Sequence, residues 1–83
     1  MSRTAYLAST RVGDIHIRLQ RDGLWHPEWH DTVVDGYLTP QQAAAALAKG
    51  TVRPLSADFN TGLLGLPADL SGWTSVEDRR VLA

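Results

Sequence analysis

From residue 15 the chain alternates as a strand does. Ile15, Ile17 and Leu19 are interleaved with His16, Arg18 and Gln20, the period-2 pattern of a strand with one buried face. Gly13-Asp14 just upstream predicts a two-residue hairpin, which pairs Val12 with Ile15, Thr10 with Ile17 and Ala8 with Leu19. Asp22-Gly23 sets a second turn, and its length decides the face that every later residue takes. A two-residue loop opposes Gln20 to Trp25 and His16 to Trp29, with both tryptophans on the polar face. A three-residue loop, Arg21-Asp22-Gly23 with Gly23 left-handed, opposes Leu19 to Trp25, Ile17 to Pro27 and Ile15 to Trp29. A one-residue slip flips every side chain, so the apolar pattern selects the second loop. The central strand is then flanked by residues 5–12 and about 24–34, and Pro27 assigns the latter to an edge.

The pattern changes after residue 38. Thr39-Pro40-Gln41-Gln42 is a capping box with Thr39 as N-cap and Pro40 at N1, and Leu38 is placed to staple onto Ala43. Ala43 to Ala48 are strong helix formers, Lys49 suits the helix dipole and Gly50 ends the helix. A helix over 40–49 follows, with an alanine face that lets it lie close on a sheet. The corner Gly36-Tyr37-Leu38-Thr39 leading into Gln42-Ala43-Ala44 resembles the strand-to-helix corner of AP2-type and integrase arm-binding domains. It is also similar to the corner of small antitoxins of the HicB type. The resemblance covers that corner alone, and the Arg- and Trp-rich strands of the DNA readers are absent.

Periodicity is weaker in the last third. Thr51-Val52-Arg53 predicts a short strand stopped by Pro54, and Asn60 to Trp73 a loop with a helical turn around Ala68–Ser71. Ser75-Val76-Glu77-Asp78 predicts a capped helix over about 76–82. The expected fold is α+β in a single small domain over 1–83. It has a three-stranded antiparallel β-meander (1–35), one helix packed on it (39–50), and an irregular C-terminal segment (51–83) ending in a short helix.

Composition narrows the function. Eighty-three residues make a small core, and without cysteine the chain has no disulfide or thiolate metal ligand. No apolar run approaches a transmembrane span and the N-terminus has no secretory h-region, so a cytoplasmic chain with no membrane partner is expected. The net charge of −1 conceals an asymmetry: residues 1–21 carry four arginines against Asp14, the rest four cations against eight acids.

Catalytic motifs are missing: there is no Gly-x-Ser-x-Gly, no Gly-x-Gly-x-x-Gly, no P-loop and no cysteine nucleophile. The chain is expected to be no enzyme and to need no cofactor. His26 and His30 have a spacing that on a helix would hold a metal, but in a strand their Cα atoms lie ~13 Å apart, so no metal site is expected. Two surfaces remain. Leu63, Leu64 and Leu66 form a Gly-interrupted apolar loop which, with Trp73, either completes the core or docks a protein partner. The polar sheet face carries Arg11, Arg18, His16 and Gln20, a set suited to nucleic acid. The first surface leads: a small regulatory, inhibitor or adaptor protein acting by contact with a protein partner or as a homodimer, of a kind frequent among phage and mobile-element products. Nucleic-acid binding is the alternative.

Overall fold

The computed structural model describes residues 3–56 and 59–78, and in them five strands form where the alternation predicts three. The strands are β1 (Arg3–Thr10), β2 (Gly13–Leu19), β3 (Trp25–Trp29), β4 (Thr32–Val33) and β5 (Thr74–Asp78). All neighbours are antiparallel, in the order β4-β3-β2-β1-β5. One helix, α1 (Pro40–Lys49), and two 3₁₀ turns (Thr61–Leu63 and Leu70–Gly72) complete the α+β fold.

Both additional strands have local causes. The long third strand breaks at His30-Asp31, where His30 takes φ 51°, and the chain turns back as β4. Histidine tolerates this left-handed conformation better than most side chains. β5 replaces the start of the helix expected over 76–82, whose remainder lies outside the described residues. The outer edge of β1 needs a partner from Arg3 to Leu7, and Thr74–Asp78 supplies it. A sheet edge outweighs a capping box in so short a segment, because helix nucleation is costly.

The second hairpin has the predicted register: Leu19 opposes Trp25, Ile17 opposes Pro27 and Ile15 opposes Trp29, with Gly23 at φ 79°. The first hairpin differs. Its turn is Arg11-Val12, and Ile15 and Ile17 oppose Ala8 and Tyr6. Thr10 closes that turn, its hydroxyl donating to the Gly13 carbonyl at 2.7 Å and accepting from the Val12 amide at 3.1 Å. The offset from the expected register is an even number of residues, so the same side chains face the core.

Pro27 is fully buried inside the sheet and does not lie at its edge. Its carbonyl accepts from Val34 at 3.1 Å, so its nitrogen, which carries no hydrogen, faces the same returning segment. The ladder lapses there and resumes where Trp25 and Tyr37 exchange two backbone bonds at 2.8 Å.

α1 is capped as its sequence predicts. Thr39 accepts from the Gln42 amide at 3.1 Å, and Gly50 at φ 74° ends the helix, with Gly50 and Thr51 donating back to Leu47 and Ala46. Leu38 stays 75% exposed and does not cover Ala43. Ala43, Ala44 and Leu47 pack with Ile15, Ile17 and Val34 in the core, which Val52, Leu55, Leu66 and Trp73 extend. Thr51–Arg53 forms no strand; Val52 reaches the core from an irregular turn. Trp25 and Trp29 are half-buried at its margin, and the Trp29 indole donates to the Val12 carbonyl at 2.9 Å.

Candidate functional site

The apolar segment 63–73 divides between core and surface. Leu66 (8% exposed) and Trp73 (5%) belong to the core, and the Trp73 indole donates to the Pro67 carbonyl at 2.9 Å. Leu64 is half-buried and Leu63 is 74% exposed. Trp73 is therefore held inside, and Leu63 and Leu64 are the side chains within a partner's reach.

This segment meets β1 where β5 begins. Pairing between β1 and β5 stops at Leu7 and Thr74. Beyond that point Leu7, Ala8 and Ser9 face Leu64, Leu66 and Pro67 across a cavity of about 380 Å³. Arg11, in the first turn, donates to the Leu63 carbonyl at 3.2 Å and ties the rim to the sheet.

Side-chain hydrogen bonds hold the segment in place. Asn60 accepts from Gly62 at 2.7 Å and Asp69 from Ser71 at 2.9 Å, starting the two 3₁₀ turns. Gln41, in the first turn of α1, donates to the Ala68 carbonyl at 3.2 Å and accepts from the Leu70 amide at 3.1 Å. Sequence reasoning missed Gln41, since a glutamine at a helix start carries no sign of what it will reach. Gly72 has to be glycine because a Cβ there would lie 2.5 Å from the Pro67 ring.

The outer sheet face gathers His16 and Arg18, while Gln20 lies just past the end of β2 and Arg11 sits in the turn beside Leu63. Arg18 is committed within the fold. Its Nη1 meets Glu28 Oε1 at 2.8 Å, and its Nε lies 3.9 Å from Asp78 Oδ2. The carboxylates are 12% and 6% exposed. Continuing the β1–β2 register, Ala5 lies opposite Arg18 and is 1% exposed. Arg18 thus has acids on both sides, which leaves little field for a phosphate backbone.

His26 and His30 do not converge. His30 sits exposed in the β3–β4 turn with its ring edge-on to Trp29 at 4.2 Å. His26 lies 2.8 Å from Asp22 through Nε2 and meets the Val34 carbonyl through Nδ1. The Leu24 amide, and after it His26, hold the Asp22 carboxyl below its usual range. Burial, followed by the charge of Asp35, raises the Tyr37 hydroxyl. Among the described residues no three His, Cys, Asp or Glu side chains gather as metal ligands, and no helix is long and apolar enough to cross a membrane. No family model, no curated protein and no solved structure matches the chain.

Proposed function

We propose that this chain is a non-enzymatic contact protein, a regulator, inhibitor or adaptor, that meets a protein partner through the Leu63–Leu64 rim. The observation that supports the reading is Leu63, 74% exposed on a segment fastened by Gln41, Asn60, Asp69 and Arg11. A pre-ordered apolar side chain loses little entropy on binding, the property that favours an interface. The outer face supports nucleic-acid binding less well, because Arg18 is neutralised by Glu28 and Asp78.

The test is light scattering on the purified chain, followed by nuclease-treated capture from host lysate. A dimer, or a protein partner that survives nuclease, should be lost in Leu63→Asp while the circular dichroism stays native. Capture of nuclease-sensitive material only, undiminished by Leu63→Asp, would transfer the function to the outer face.

A further inference from the structure

Pro27 leaves one hydrogen bond unmade in the ladder. Val34 donates to the Pro27 carbonyl, and in an antiparallel pair the reciprocal bond would run from residue 27 to the Val34 carbonyl. Proline has no hydrogen to give. The Val34 carbonyl instead meets Nδ1 of His26, the neighbouring residue. The imidazole therefore stands in for the missing amide, and this requires a proton on Nδ1.

The other ring nitrogen then has a defined problem. Nε2 lies 2.8 Å from Asp22 Oδ2, and the His26 side chain is only 15% exposed. An ionised carboxylate only accepts, so both ring nitrogens face acceptors and only the doubly protonated ring donates to both. Gly36 packs against the same ring, since a Cβ there would lie 2.7 Å from Nε2.

We infer that His26 is a pH-sensitive clip: Nδ1 holds Val34 throughout, whereas Nε2 holds Asp22 only while it is protonated, so raising the pH releases the β2–β3 loop from the returning segment. The clip needs an imidazolium and a carboxylate together. Asp22 supplies the carboxylate down to low pH, its carboxyl being held below the usual range by the Leu24 amide and by His26. The imidazolium is the limiting partner, because Nε2 must carry a hydrogen to donate to Asp22. The contact to Asp22 is made while both ring nitrogens carry hydrogen and is lost when Nε2 gives up its own.

Other charged groups lie around this contact. Arg18, across the strand from His26, is turned to Glu28 and Asp78. Glu28, two residues along β3, takes Arg18. Asp35 on the returning segment faces Arg53. His16 lies diagonally across on β2, opposite Glu28. Arg21, next to Asp22 in the loop, is exposed.

The experiment is a nitrogen-detected titration of the His26 ring between pH 5 and pH 8, with amide exchange of Gly23 and Leu24 corrected for intrinsic rates. At pH 5 both ring nitrogens should carry hydrogen, and at pH 8 Nδ1 alone, the less common tautomer. Protection of the two loop amides should fall roughly three- to tenfold over that range, the scale of one hydrogen bond. In Asp22→Asn the fall should vanish. A ring protonated on Nε2 at pH 8 overturns the proposal, as does an equal fall in Asp22→Asn. The ring measurement needs only the wild-type chain, so it decides the matter even where the variant unfolds.

Discussion

The β2–β3 hairpin and the 60–73 segment are both ordered, but by different means. The hairpin rests on repetition: alternating Ile15, Ile17 and Leu19, a ladder against Trp25, Pro27 and Trp29, and the helix packed over it. The 60–73 segment has no ladder. It is fastened by separate contacts from Asn60, Asp69, Gln41 and the Trp73 indole. Ladder order is shared among neighbours, so its loss is global; point contacts fail one at a time. The surface proposed for partner contact sits on the second kind, which is the class of structure that opens locally at low free-energy cost.

Two substitutions test that contrast, the larger first. Ile17 is fully buried between sheet and helix, so Ile17→Ala should cost about 2–5 kcal/mol as a core truncation. Urea unfolding followed at Trp25 and at Trp73 should show one shared transition. A loss under about 1 kcal/mol would move the centre of the core away from β2. Gly72→Ala drives a methyl into the Pro67 ring and should cost about 1–3 kcal/mol by overpacking. Its signature is local: faster exchange of the Trp73 indole N–H, with the amides of β2 and β3 unchanged. Equal loosening of both would dissolve the distinction between the two regions.

The contrast also explains what was legible in the sequence. The second hairpin could be read because parity, loop length and Gly23 all point to one register. The helix could be read because its caps are its own residues, Thr39 and Gly50. The first hairpin was misplaced because Gly13-Asp14 has turn composition, while the bond that closes the turn comes from Thr10. β5 was hidden because Ser75-Val76-Glu77-Asp78 suits a helix start locally, and what overrides it is the β1 edge some seventy residues earlier. The site was legible as a segment but not as a set of roles. Leu63, Leu64, Leu66 and Trp73 look equivalent in sequence, and only the path of the chain across α1 and β1 separates the exposed Leu63 from the buried Leu66 and Trp73. Likewise Arg18 read as one of a set suited to nucleic acid, because Asp78 reaches it only once β5 has joined the sheet.

The smallest expected effect bears most directly on the site. Gln41 is exposed and makes two hydrogen bonds to the backbone of the segment, one as donor and one as acceptor. Gln41→Ala removes both and should cost about 1 kcal/mol, the usual net value for such bonds where water can replace the lost partner. Gln41→Glu keeps the acceptor for Leu70 and loses the donor to Ala68, so it should fall between wild type and alanine. Exchange of the Leu70 amide separates the cases: fast in Gln41→Ala, close to wild type in Gln41→Glu. If that amide is equally protected in all three proteins, the Asn60 and Asp69 turns hold the segment unaided, and Leu63 owes its position to the 3₁₀ turns and not to the helix.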